Sequence, residues 1–291
     1  MRWTPGGSSA DIEDRRGGGG GGFGFGRGPT IGCGGAIVLL VLSLLTGKNF
    51  FTLFDGSGGG GAVQQAPSEP GGVSPSVQES PEEKQAREFV TFVLNDTQDT
   101  WIKVMEGEGV PYRRTKLVLF RDGVQSGCGN ASSQAGPFYC PSDEKVYIDL
   151  AFYDELRRRF GAPGDFAQAY VIAHEVGHHI QNILGIAPKV HEAMERDPRN
   201  ANDYSVRLEL QADCFAGIWG HSTDQRKILE EGDVEEGLNA AAAIGDDRLQ
   251  QQAGRSVNPE SFTHGSSEQR VEWFRRGLQS GRIANCDTFQ Q

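Results

Sequence analysis

Glycine limits where this chain can fold. Residues 1–30 are glycine-rich, with an unbroken run from Gly17 to Gly22, and residues 55–82 are rich in Gly, Pro, Ser and Gln with almost no large apolar side chains. Neither segment holds enough apolar surface to offset the entropy of ordering it, so both are expected to be disordered tethers. Of the 291 residues, this leaves a domain at 83–291, ample for one hydrophobic core. A net charge of -11 argues against a nucleic-acid partner.

Between the tethers, residues 28–47 carry no charge and residues 36–45 are almost wholly aliphatic, which is long enough to span a bilayer. Residues 31–54 are therefore predicted to be a single transmembrane anchor with its flank. A cleaved signal peptide fits less well, because no small-x-small site clearly follows the apolar run. Arg15, Arg16 and Arg27 precede the run and only Lys48 follows it closely. That bias places the N-terminus inside the cytoplasmic membrane and the domain outside, periplasmic or extracellular. The cysteines agree with export. Apart from Cys33 there are four, Cys128, Cys140, Cys214 and Cys286, an even set that predicts two disulfides. Cys128 and Cys140 flank a Gly/Ser/Asn loop and form the natural local pair. Cys214 and Cys286 then tie a helix to the C-terminal end, with buried free thiols as the alternative.

Residues 166–184 read as a helix, with Asp165 as N-cap and Gly185 and Pro188 as the stop. Phe166, Tyr170, Ala173, Val176, Ile180 and Ile183 recur at helical spacing and predict one buried face. Beside that stripe runs His174-Glu175-Val176-Gly177-His178, an H-E-x-x-H motif. Two imidazoles four residues apart project from one helix face and suit two nitrogens of a tetrahedral zinc site. Glu175, between them, can reach a water at the open position as general base. Gly177 lets another segment approach closely. His179 points about 100° away from His178 and is expected to be structural.

Such a site needs a third protein ligand, and the extended motif that supplies a third histidine is absent. His191 falls at the wrong spacing. The best candidate is Glu209, on a helix capped by Asp203 or Ser205 and running to about residue 218. Asp213 lies four residues on, on the same face. One carboxylate can bind the metal while the other accepts the free N–H of a zinc-bound histidine. The bland alternative is that one or both are ordinary exposed acids.

The H-E-x-x-H motif followed by Glu209-Leu210-Gln211-Ala212-Asp213 resembles the gluzincin metalloproteases, in particular their membrane-linked branch. Gly136-Pro137-Phe138-Tyr139-Cys140-Pro141, Val146-Tyr147-Ile148-Asp149, the stretch from Ala167 into the motif, and Thr263-His264-Gly265-Ser266-Ser267 resemble more closely a bacterial family of neutral zinc metallopeptidases. The resemblance covers roughly residues 83–291. It implies one Zn²⁺ per chain, peptide-bond hydrolysis, and an oxyanion donor from outside the metal helices. His264 is the candidate donor, with Arg270 near the same pocket, although Gly265 stands where the gluzincin segment has proline.

The remaining pattern gives helices over 81–107 and 152–160 and strands over 116–120 and 144–150. Capping-box signatures at Asp233/Glu236 and Ser266/Gln269 open two more helices. The expectation is an α+β, mainly helical zincin-like domain with a small sheet, whose edge is the strand at Val146. The expected function is a membrane-anchored zinc metallopeptidase acting on peptides or proteins. The alternatives are a zinc-stabilised envelope scaffold with little activity and a zinc amidase acting on cell-wall peptides.

Overall fold

A computed structural model describes residues 1–5, 9–17, 79–162 and 164–290. The anchor expected at 31–54 and the linker at 55–82, apart from its last residues, lie outside them. Among the described residues, no helix is long and apolar enough to cross a membrane.

The first helix, α1 (Pro81–Gly107), opens with a capping box in which Ser80 and Glu83 satisfy each other's backbone N–H groups. Its face of Phe89, Val90, Val93, Leu94, Trp101 and Met105 is buried in the main core. A four-stranded sheet follows the order β1 (Ile12–Asp14), β2 (Lys116–Phe120), β6 (Lys145–Asp149), β5 (Phe138–Cys140). β1 and β2 are parallel, β2 and β6 parallel, and β5 and β6 antiparallel. Strands β3 (Gly123–Ser126) and β4 (Gly129–Ser132) form a separate hairpin.

Two expectations are corrected here. The strand at Val146 is not an edge: β6 is paired on both sides, and the edge toward the motif helix is β5. The N-terminal segment is not wholly unstructured either. β1 extends the sheet in register, with Ile12 opposite Leu117 and Asp14 opposite Leu119. Trp3 packs edge-on against Phe89 at 5.2 Å. The glycine content hid a short polar strand held by backbone pairing and ion pairs: Lys145 Nζ lies 2.8 Å from Glu13, and Arg114 Nε lies 2.6 Å from Asp11.

The helical layer begins with α2 (Phe152–Arg158) and the motif helix α3 (Asp165–Ile183). Gly164, not Asp165, occupies the N-cap position of α3. The chain does not stop at Gly185. That residue takes a left-handed φ of +69° and starts a further helix, α4 (Ile186–Arg196). Pro188 is tolerated in its first turn, where the missing N–H has no intrahelical partner. Helix α5 (Ala201–Gln225) is longer than expected at both ends, and Ser205 is buried inside it instead of capping it. Then come α6 (Asp233–Ala243), α7 (Asp246–Gln252) and α8 (Ser267–Ser280). The Ser266/Gln269 capping box is formed. At α6 the N-cap is Gly232, and Asp233 is the first helical residue.

Glycine lets the central helices touch backbone to backbone. A Cβ on Gly177 would lie 2.9 Å from the Ala212 carbonyl, so α3 and α5 cross at van der Waals limit. Gly217 and Gly277 do the same for α5 and α8. Disulfides join Cys128 to Cys140 and Cys214 to Cys286.

Candidate metal centre

The close crossing at Gly177 sets the site. His174 and His178 project from α3 toward α5, and Glu209 projects back between them. Its Oε2 lies 3.2 Å from His174 Nε2, and its Oε1 lies 3.4 Å from His178 Nε2. One donor atom from each of the three residues falls within 4.8 Å of the others. Both Nδ1 atoms are already engaged. His174 Nδ1–H donates to Asp213 Oδ1 at 2.8 Å, and His178 Nδ1–H to Gln181 Oε1 at 2.9 Å. This leaves both Nε2 atoms facing the Glu209 carboxylate, where each could offer its lone pair to a metal ion. Two nitrogens and one buried oxygen, each imidazole held from behind, fit a divalent zinc ion with an open fourth position.

Asp213 is fully buried and is the hub of the surrounding network. Besides His174 it accepts hydrogen bonds from Arg270 Nε at 2.8 Å, from Arg270 Nη2 at 2.9 Å and from the Tyr170 hydroxyl. Burial alone would raise its pKa, but Arg270 and His174 hold it below the usual carboxylate range. Arg270 is buried too and lines the same cavity; its guanidinium is paired with Asp213 and also donates to the Ile244 carbonyl at 3.3 Å. Gln181, which the sequence reading missed, passes its amide N–H to the Leu208 carbonyl at 2.6 Å and so fastens α3 to α5. Its position three residues after His178, on the same helix face, was the available signal.

Glu175 is 8% exposed, lines the cavity, and has its pKa raised by burial. His179 is fully buried. Its Nδ1 meets the Tyr139 hydroxyl at 3.0 Å and its Nε2 the Arg113 carbonyl at 2.7 Å, so it ties the motif helix to edge strand β5. His264 also lines the cavity. Burial lowers its pKa, but Glu209 and Asp246 outweigh this and raise it.

A cavity of about 460 Å³ opens over the three ligand candidates and Glu175. Its wall toward β5 and α2 is apolar, with Pro137, Phe138, Phe152, Phe160 and Val171. A solvent-reaching cleft over a nitrogen–oxygen donor set, with an acid beside it and a sheet edge along one side, has the layout of a zincin-type hydrolytic centre.

Comparison with known proteins agrees on the class. A model of the putative neutral zinc metallopeptidase family matches residues 1–289, and the chain belongs to that family. It is 48% identical over 291 residues to the uncharacterized protein YpfJ of Escherichia coli, covering 99% of each chain. It is 43% identical over 206 residues to the uncharacterized protein Rv2575 of Mycobacterium tuberculosis, covering 67% of this chain and 68% of that one. No solved structure matches it.

Proposed function

We propose that this protein is a zinc-dependent peptidase. The observation that carries the reading is the convergence of His174 Nε2, His178 Nε2 and the Glu209 carboxylate at the floor of a cleft that Glu175 also lines. His174, His178 and Glu209 would hold one zinc ion, which supplies Lewis acidity toward a carbonyl and toward water. The chain's own groups divide the remaining work. Glu175, buried and with a raised pKa, accepts a proton from the attacking water and returns it to the leaving amine. His264, which lines the same cavity, donates toward the developing oxyanion. Strand β5, at the sheet edge among the described residues, offers its outer backbone groups to an extended peptide by strand addition. The two disulfides suit an oxidising compartment, so we place the domain outside the cytoplasm.

The test uses the full chain, zinc-loaded, on a peptide library beside Glu175→Gln. Cleavage by the native chain, and its loss in a variant that keeps zinc, is expected. No cleavage by either protein would favour a zinc-stabilised binding protein. Cleavage confined to cell-wall peptides would favour an amidase.

A further inference from the structure

Asp246 is the first residue of α7 and is 1% exposed. One of its carboxylate oxygens, Oδ2, accepts three consecutive backbone N–H groups: Thr263 at 2.6 Å, His264 at 2.7 Å and Gly265 at 3.2 Å. Its other oxygen, Oδ1, lies 3.2 Å from His264 Nδ1, which the Thr263 hydroxyl also approaches at 3.0 Å. In return the Asp246 N–H donates to the Gly265 carbonyl at 2.9 Å. Gly265 sits at a φ of +91°, a conformation that leaves glycine the unstrained choice there. A single buried carboxylate therefore grips both the loop and the ring. With Nδ1 turned to Asp246, Nε2 is the nitrogen left for the cavity that His264 lines.

We infer that Asp246 is the positioning residue for His264: it fixes the loop and orients the imidazole so that Nε2 faces the cleft. This rests on the proposed role of His264, but the orientation can be read without any substrate. In ¹⁵N-edited spectra of the zinc-loaded full chain, the His264 proton bonded to Asp246 is expected on Nδ1, and Asp246→Asn should shift or lose that signal. In turnover, Asp246→Asn should lower kcat on the order of 10- to 100-fold, as loss of an outer hydrogen-bonded partner does. In a His264→Ala background the same change should have no further effect, because the two act as one unit. Asp246→Glu, which keeps the charge but displaces the ring, should lower kcat with KM little changed. An unchanged Nδ1 signal in Asp246→Asn overturns the inference even if peptides are cleaved. Equal losses with and without His264 overturn it too, as does failure of both Asp246 variants to fold. Absence of cleavage with the expected spectral change would count against the peptidase reading alone.

A second inference follows from the N-terminal segment. β1 is hydrogen-bonded into the sheet of the metal domain, and Trp3 is packed on α1. Arg16, 6% exposed, lies 2.7 Å from Glu79, which Arg87 also holds at 3.1 Å. The chain thus leaves the described body beside Arg16 and re-enters it beside Glu79. A topology with the N-terminus inside and the domain outside would require β1 to be stripped from the sheet. The geometry points to residues 1–17 and 79–290 lying on the same side of any membrane the protein meets, against the arginine bias of the sequence. The test is labelling with a membrane-impermeant maleimide in intact cells, using Ala10→Cys or Glu106→Cys in the full chain with Cys33→Ser. Both positions labelled, or both protected until the cells are opened, is the expected result. Labelling of one position alone would overturn it.

Discussion

Asp213 Oδ1 stands 2.8 Å from His174 Nδ1, while the Arg270 guanidinium clasps the same carboxylate from behind at 2.8 and 2.9 Å. The arginine holds the Asp213 pKa down in a fully buried position, and Asp213 holds the His174 ring with Nε2 facing Glu209. Helix α8 thereby braces the metal site through one side chain: besides Asp213, Arg270 Nη2 lies 3.4 Å from His174 Nδ1 and 4.0 Å from Glu209 Oε2. Removing either member of a buried pair leaves the other charge uncompensated, so a single replacement at Asp213 or Arg270 costs folding stability as well as support for His174.

That arrangement separates ligand from support. His174→Ala and His178→Ala should each empty the site of zinc, and Glu209→Gln should lose most of it. Asp213→Asn should retain zinc with affinity weakened about 10- to 100-fold. Metal analysis and chelator competition read both effects. Greater loss in Asp213→Asn than in Glu209→Gln would exchange the two roles.

Much of this was legible because helix chemistry is local. The H-E-x-x-H spacing, the Ser266/Gln269 capping box and the strands at 116–120 and 145–149 are written in short windows. What was not legible depends on distant partners. Ile12-Glu13-Asp14 has no strand periodicity, and only β2 and Lys145 make it a strand. Asp246 looks like any helix-opening acid until the loop at Thr263 folds onto it. Val146 has the composition of an edge or a central strand alike, and pairing with β5 decides it.

The disulfides should contribute unequally. Cys214–Cys286 closes a sequence separation of 72 residues and Cys128–Cys140 one of 12. Loop entropy assigns about 4 kcal/mol to the first and about 3 kcal/mol to the second. Both Cys214 and Cys286 are fully buried, and Cys214 lies on the helix that carries Glu209. Paired Cys→Ala replacements, unfolded in urea, should show the larger loss at Cys214/Cys286. A larger loss at Cys128/Cys140 would mean that the hairpin loop, not the helix tie, limits unfolding.

Docking of β1 should be acid-sensitive in a defined window. Burial would raise the Glu13 pKa, but Lys145 and Arg15 outweigh it and bring it from 4.5 to about 2. The folded value lies below the unfolded one. Its contribution is therefore present above about pH 4.5 and is lost as pH falls toward 2. Glu13→Gln should lower Tm at pH 7, and the gap to the native protein should close between about pH 4.5 and 2. A gap that stays constant across that range would remove the ion pair from the account of β1.

The last prediction concerns Gly177, the motif residue that contacts no ligand. A methyl group there would lie 2.9 Å from the Ala212 carbonyl and 3.2 Å from its Cα, both backbone atoms that cannot rotate away. Gly177→Ala must push α3 and α5 apart. His178 and Glu209 sit on either side of that crossing, 3.4 Å apart, so the same displacement widens the metal site. Overpacking of this kind costs about 1–3 kcal/mol of stability. A helix-interior alanine alone would instead stabilise by about 0.5–1 kcal/mol relative to glycine. The two effects have opposite signs, which makes the measurement decisive. Gly177→Ala is expected to lower Tm and weaken zinc binding together. A raised Tm with zinc affinity unchanged would show that the helices are not in backbone contact at this crossing.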